Sequence, residues 1–288
     1  MPPFKAIHAY EAVVRLGSMV AAAQELGVTH GAISKQIGLL EDRLGRPLLE
    51  RAPGGMRPTQ EGAAYAAELC EALDRISRAS RRLFDGPDHV EPLRVLAPAT
   101  FAMQWLIPNL RRADLPEFED RIAIHTTQTD ESWTKLPFDV AIRRGTQDCA
   151  GQDSRPLWIE QLTLVCAPVI ARRLRADGVR SLTDAPLVES VTRPNELSTW
   201  LTRAGIDPAS IRVRQRYDHF YVALQAIING YGCGIGSLQV LEHEIAAGRI
   251  EVPFPEVTTP GVEYQLIQPA TGEHPLAERF VAWLSQTA

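Results

Sequence analysis

Cysteine is scarce in this chain: four in 288 residues, at Cys70, Cys149, Cys166 and Cys233. They lie far apart with no paired spacing, so neither a zinc site nor a disulfide framework is expected, and free buried thiols are the plainer reading. A redox pair such as Cys149 with Cys166 is the alternative, although sequence separation does not say whether two sulfurs can meet. No apolar run is long enough to span a bilayer, and Met1 to Lys5 lack the basic-then-apolar run of a secretory leader. A soluble cytoplasmic protein is therefore expected. Nucleophile elbow, phosphate loop and metal-ligand constellation are all missing, so no catalysis, metal or cofactor is expected. The glycines at 230, 232, 234 and 236 do not match the dinucleotide fingerprint, and are expected to permit close backbone approach at a cleft.

What is present suffices for more than one core, since 45% of the residues are hydrophobic. The net charge of -5 is unevenly spread. Residues 1–60 carry seven Lys or Arg against five acids, a net of +2, which leaves -7 for the remainder. A basic head on an acidic body permits local phosphate contact without general stickiness.

In the head, Phe4, Ile7, Tyr10 and Val14 recur at helical spacing, and Gly17 followed by Ser18 supplies a stop and a new N-cap. The segment SMVAAAQEL from Ser18 has small residues that let another helix approach, and Gly27 ends it. Thr29 then caps a third helix with inward positions Ile33, Ile37, Leu40 and Leu44. Two short helices joined by a tight glycine turn predict a helix-turn-helix. Its outer face would present Thr29, His30, Gly31, Ser34 and Lys35, short polar groups for base edges and a cation for phosphate. An ordinary three-helix core with a solvated face is the bland alternative. The Pro/Gly-rich stretch after Leu44, with Arg51 and Arg57 and ending at Thr59, predicts a wing.

Thr59 begins a longer helix in which Gly62, Ala66, Leu69, Leu73, Ile76, Ser80 and Leu83 alternate by four and three, the spacing of a coiled-coil seam. Leu69, Leu73, Ile76 and Leu83 are the expected dimer contacts, and packing on the helix's own domain is the alternative. Asp85 to Asp88 mark a boundary. Beyond Glu91, strand-like runs (93–97, 122–127, 140–143, 162–167, 232–236, 264–267) alternate with helical ones (101–112, 196–204, 222–229, 275–285). That alternation predicts an α/β sheet with its site at the C-terminal strand edges. Thr100 and Phe101, Gln128 and Thr129, Arg143 with Arg144, and Glu189 and Ser190 fall at such edges, and Asp218 to Tyr221 open a helix. N-capping, surface ion pairing and core packing are their ordinary roles.

The run SMVAAAQELGVTHGAISKQIGLLEDRLGRPLLERAPGGMRPTQEG, Ser18 to Gly62, resembles the DNA-binding signature of LysR-type regulators in its AA-x-x-L, S-K-Q-I, LE-x-x-LG and PT-x-x-G elements. It departs at Gly31, commonly Pro, and at Met19, commonly aromatic. The body resembles the branch that activates glycine-cleavage, β-lactamase and tryptophan-synthase genes, through FDVAIRRG at 138–145 and YDHFYVALQAIINGYGCGIGSLQV at 217–240. The resemblance implies an α-rich winged helix-turn-helix at 1–58, a linker and dimerisation helix at 59–89, and an effector-binding domain at 90–288. That last domain is expected to have the two-lobed α/β fold of type 2 periplasmic binding proteins, lobe one being 90–160 with 266–288 and lobe two 161–265.

It further implies a transcription regulator, not an enzyme, that binds double-stranded promoter DNA as a homodimer or homotetramer, with RNA polymerase as a further partner. DNA contacts would come from Ser18, Thr29, His30, Gly31, Ser34, Lys35, Arg51, Arg57 and Thr59. A small anionic or aromatic effector would be held by Thr100, Phe101, Gln128, Thr129, Arg143, Glu189, Ser190, Asp218, His219, Phe220 and Tyr264. The competing reading is a solute-binding protein or enzyme with an appended helical domain.

Overall fold

The computed structural model describes every residue except 53–54, 86–90, 114, 116–117, 119–120, 128–135, 146–151, 270–273 and 288. The chain divides into two compact units, Met1–Glu91 with Ser132–Pro137, and Pro92–Glu131 with Phe138–Ala288.

The first unit begins with α1 (Phe4–Leu16), α2 (Met19–Glu25) and α3 (His30–Leu44). Each boundary has a local cause. Gly17 and Gly45 sit in the left-handed conformation that ends α1 and α3, and the hydroxyls of Ser18 and Thr29 accept from the amides of Ala21 and Ala32 at 3.3 and 3.2 Å. The hairpin β1 (Leu49–Ala52) and β2 (Gly55–Pro58) follows, then α4 (Gln60–Asp85). Tyr10, Val13, Ile33, Ile37, Leu40 and Leu48 form one core, closed from the α4 side by Ala66 and Leu69.

Two devices hold the hairpin to the helices. Glu41 accepts from the amides of Leu48 and Leu49 at 2.7 and 3.1 Å, which anchors the start of β1 to α3. Thr59 accepts from the amide of Gly62 at 3.0 Å and donates to the Pro47 carbonyl at 3.2 Å, which anchors α4 to the strand before it. Gly62 has no room for a side chain: a Cβ there would lie 2.1 Å from the Leu48 carbonyl oxygen and 2.7 Å from the Tyr10 hydroxyl.

The second unit is built on one eight-stranded sheet in the order β4-β3-β5-β10-β6-β9-β7-β8. One half holds β3 (Leu93–Pro98), β4 (Ile122–Thr127) and β5 (Val140–Arg144), the other β7 (Leu187–Ser190), β8 (Val213–Tyr217) and β9 (Cys233–Ser237). Two long strands, β6 (Gln152–Cys166) and β10 (Thr259–Pro269), lie antiparallel to one another between the halves. Within each half the strands are parallel, which suits apolar runs buried on both faces such as Val95, Leu96 and Ala97.

Helical segments cover the sheet: α5 (Ala99–Phe101), a π-helical turn (Ala102–Leu106) and α6 (Ile107–Arg112) in succession, then α7 (Pro168–Asp177), α8 (Glu196–Arg203), α9 (Phe220–Ile228), α10 (Glu242–Ala246) and α11 (Ala277–Thr287). Four rings, Phe101, Trp105, Trp158 and Tyr264, cluster with neighbouring centroids 5.1 to 5.6 Å apart.

Two of the glycine quartet serve close packing of the sheet. A Cβ on Gly232 would lie 2.4 Å from the Pro186 carbonyl oxygen, and one on Gly234 2.7 Å from Ile227, so these glycines let β9 lie close to β7 and α9.

Candidate functional site

On the head, α3 turns Ile33, Ile37 and Leu40 inward and leaves His30, Gly31, Ser34 and Lys35 exposed along its outer face and first turn. Arg51 and Arg57 are exposed on the two strands of the hairpin. Ser18 and Thr29 use an oxygen lone pair as caps, which leaves each hydroxyl proton free in principle to donate outward. Thr59 is different, because its hydroxyl both accepts and donates within the fold and so has no proton left for DNA.

Helix α4 splits the expected seam in two. Leu69 is buried in the head's own core and Leu73 packs against it, whereas Ile76 is 52% exposed and Leu83 87%. Leu69 is thus a residue of the chain's own packing, for the plain reason that the first turns of α4 complete the three-helix core. Phe84, 87% exposed and absent from the expected seam, continues the apolar end.

In the second unit a cavity of about 80 Å³ opens where the two halves of the sheet meet. Pro98, Ala99 and Thr100 border it where β3 passes into α5, with Thr127 at the end of β4, Arg143 and Arg144 at the end of β5, and Tyr264 on β10. From the other half come Thr192 and Arg193, just after β7, and His219, Phe220 and Tyr221 at the start of α9. Apart from Tyr264, in the middle of β10, these are C-terminal strand edges and the helix starts that follow them, where α/β sheets place ligands.

Charge in this cavity is dense and internally paired. Arg144 donates to Glu160 through Nε at 2.7 Å and lies 2.6 Å from it through Nη2, and it also bonds Glu196. Arg193 lies 3.7 Å from Glu160 and 3.8 Å from Glu196, with its guanidinium 3.7 Å above the Phe220 ring. Arg143 donates to the Thr127 hydroxyl. Burial works against the Arg144 charge, but Glu160 and Glu196 outweigh it and hold its pKa above the ordinary value. His219 and Tyr221 stack almost parallel, centroids 5.4 Å apart at 10°.

Tyr264 stands apart. It is completely buried, and among the described residues its hydroxyl has no hydrogen-bond partner. Burial, followed by the nearby Glu160, pushes its phenol well above the usual tyrosine range, so it stays protonated and able to donate. An unpaired buried hydroxyl costs about 1–3 kcal/mol, which a ligand acceptor in the cavity would relieve.

Of the residues singled out from sequence, Thr100, Arg143, His219, Phe220 and Tyr264 come together here, with Arg144 beside them. Four do not. Phe101 points into the aromatic core, because the helix begins at Ala99 and its third residue turns inward. Glu189 and Ser190, the last residues of β7, border a smaller adjoining pocket that shares Arg193 and Phe220 with this one; Glu189 pairs with Arg216 at 3.0 Å and Ser190 shares a hydrogen bond with Thr192. Asp218 is exposed and off the cavity wall. Gln128 and Thr129 lie outside the described residues. Arg144 makes buried ion pairs, not surface ones.

Thr127, Thr192 and Arg193 were missed. The signal for the last two was readable: TRPN is a turn-rich tetrapeptide four residues after the apolar Leu187 and Val188, and Asn195 adopts a left-handed conformation, φ 66°, before α8.

Residues 4–63 match the bacterial regulatory helix-turn-helix protein family of the lysR type, and residues 88–288 match the LysR substrate binding domain. The chain is 31% identical to the HTH-type transcriptional activator AmpR of Pseudomonas aeruginosa, over 99% of this chain and 96% of that protein. It is 29% identical to the glycine cleavage system transcriptional activator of Escherichia coli K12, over 89% and 84%.

Among solved structures, the effector domain of Pseudomonas aeruginosa AmpR superposes with a TM-score of 0.57 at 25% identity, covering 68% of this chain and 95% of that one. ArgP of Mycobacterium tuberculosis superposes with a TM-score of 0.65 at 18% identity, covering 98% and 96%, a likeness of fold. An exposed polar helix face with a hairpin beside it, a cavity between two sheet halves, and both family matches lead to one conclusion: the chain belongs to the LysR family of bacterial transcription regulators.

Proposed function

We propose that this regulator acts in the cytoplasm by gripping double-stranded promoter DNA with Thr29, His30, Gly31, Ser34 and Lys35 of its recognition helix and with Arg51 and Arg57 of the wing. A small effector in the cavity sets which DNA-bound form is favoured. The domains divide as 1–58, 59–89 and 90–288, with lobe one at 90–160 and 266–288 and lobe two at 161–265, so that the cavity is the interlobe cleft. Two copies join through the exposed end of α4, where Ile76, Leu83 and Phe84 leave apolar surface that a partner helix would cover. Among the described residues no helix is long and apolar enough to cross a membrane.

The observation that carries the effector site is the Tyr264 hydroxyl, wholly buried, unpartnered and on the cavity wall. Guanidinium groups and the flat His219–Tyr221 pair suit an effector with an anionic or aromatic part that accepts a hydrogen bond from Tyr264. An effector shifts the balance between DNA-bound forms only as far as it prefers one of them, so the coupling is read on DNA as well as on binding.

The test begins with a thermal-shift screen of anionic and aromatic metabolites, since a ligand selective for the folded state raises the midpoint. For a hit, calorimetry should give about 10-fold weaker binding to Tyr264→Phe and to Thr100→Val. Wild-type affinity in both variants would place the effector elsewhere.

A further inference from the structure

Outside the cleft and the DNA face, the register of β6 and β9 brings two thiols together. Cys166, the last residue of β6, lies directly across from Cys233, the first of β9. The Cys166 amide donates to the Glu251 carbonyl at 3.1 Å and its carbonyl accepts from the Glu251 amide at 2.8 Å, so both of its backbone groups face away from β9. The Cys233 amide likewise points away, toward the Pro186 carbonyl at 2.8 Å.

Cys166 and Cys233 are therefore a non-hydrogen-bonded antiparallel pair. In such pairs the Cα atoms are about 4.5 Å apart and the side chains are at their closest, inside the ~4.4–6.8 Å window that a disulfide spans. Directly opposed residues project to one face of the sheet. Both side chains enter the same core with Leu174, Leu187 and Trp200.

We propose that Cys166 and Cys233 are a modification site that closes into a cross-strand disulfide when the protein meets a disulfide oxidant such as glutathione disulfide. One cysteine, as thiolate, attacks glutathione disulfide and expels one glutathione thiolate, leaving a mixed disulfide. The second cysteine thiolate then attacks the protein sulfur of that mixed disulfide and expels the other. Two protein thiols lose two electrons and two protons, one sulfur–sulfur bond forms in the protein, and one glutathione disulfide becomes two glutathiones.

The pair is slow by construction. The interaction of the Cys166 S–H with the neighbouring Cys233 sulfur and then burial push the Cys166 thiol up, so little thiolate exists in the closed fold. Both residues sit at strand ends, where local opening is easiest, and that opening sets the rate. Once formed, the bond ties the crossing strand β6 to β9 and closes the chain that holds α7, β7, α8, β8 and α9 into one loop. A loop of that length gives a disulfide much leverage on the unfolded state.

The experiment uses the full-length protein with Cys70→Ser and Cys149→Ser, so that the pair supplies the only thiols. Reduced protein is incubated with excess glutathione disulfide, with and without low urea, then denatured for thiol counting and intact mass. The expected result is loss of both thiols, a mass lower by about 2 Da, faster reaction in low urea, a melting midpoint raised by several degrees and full reversal by dithiothreitol. Retention of both thiols in low urea, a stable glutathione adduct in place of the internal bond, or a lowered midpoint overturns the proposal. Should the double serine variant fail to fold, peptide mapping of oxidised wild-type protein decides: a Cys166–Cys233 linked peptide supports the assignment, and any other pairing refutes it.

Discussion

In the head, Ser18, Thr29, Glu41 and Thr59 each complete a backbone hydrogen bond of the fold itself, at helix starts and at the hairpin. In the cleft, Tyr264 completes none, and the guanidinium of Arg193 lies beyond hydrogen-bond distance of both its carboxylate partners. The head's polar residues are cut to the protein, whereas these two in the cleft keep donors unfilled beside the internally paired Arg143 and Arg144. A buried polar group with no partner costs stability, and an acceptor placed beside it recovers that cost. The contrast assigns opposite signs to similar mutations in the two regions, and the following experiments press on it.

The largest effect is expected at Gly62. Gly62→Ala drives a methyl into the Leu48 carbonyl and the Tyr10 hydroxyl, backbone and buried ring that cannot both retreat. The head should lose about 3 kcal/mol or more and operator binding with it. Gly31→Ala is the control, since a Cβ at Gly31 meets nothing within 4 Å and the residue lies inside α3. It should leave stability unchanged or raised by up to about 1 kcal/mol. Denaturant titration of both variants separates them; a Gly62→Ala variant as stable as the control would mean that α4 leaves the hairpin without cost.

Next in size is the DNA face. Ser34→Ala with Lys35→Ala removes a base-edge hydroxyl and one phosphate cation from exposed positions, so folding should be untouched. Affinity should fall about 10- to 100-fold, and the salt dependence should lose roughly one phosphate's worth of slope. Titrations at several salt concentrations check this. An unchanged slope with reduced stability would place Lys35 in the fold's machinery and erase the contrast from the other side.

The same contrast explains what was legible. The head was readable nearly residue by residue because its determinants are local: Gly17, Ser18, Gly27, Thr29 and Gly45 act within a turn of where they stand. The cleft's determinants are not local. Tyr264 meets Arg144 and Trp158 only through the register of β10 with β5 and β6, and no pattern within ten residues of Tyr264 encodes that. The crossing strands look too short in the sequence because the first half of β6, from Gln152 to Pro156, is polar and largely exposed and resembles loop. β7, four residues long, is legible only as the strand edge at Glu189 and Ser190, and β8, VRQRY, escapes as an exposed edge strand. The cysteine pairing is the clearest case: the sequence offers Cys149 with Cys166, Cys149 lies outside the described residues, and register sets Cys233 opposite Cys166.

A smaller effect is expected at Thr59. Thr59→Ala removes the oxygen that accepts from Gly62 and the proton given to Pro47, a cap worth about 1 kcal/mol. Because both halves of that hydroxyl are already engaged, affinity for DNA per folded molecule should stay near wild type. A loss of affinity without loss of stability would show that Thr59 reaches the phosphates after all.

The smallest effect is the most discriminating. Tyr264→Phe deletes a buried hydroxyl that has no hydrogen-bond partner among the described residues, so without effector the variant should be no less stable than wild type. The pH dependence sharpens the sign. Burial first, then Glu160, raises the folded-state pKa of this phenol above that of the unfolded chain, so the folded protein holds the proton more tightly. That difference has no influence while both states are protonated, and it lowers wild-type stability as pH rises past about 10, where the unfolded chain ionises and the folded one does not. Stability measured by urea titration from neutral to alkaline pH should therefore show the advantage of the Tyr264→Phe variant growing with pH. If instead Tyr264→Phe destabilises the effector-free protein by more than about 1 kcal/mol, the hydroxyl is serving the fold as Thr59 does, and the cleft has no vacancy for a ligand to fill.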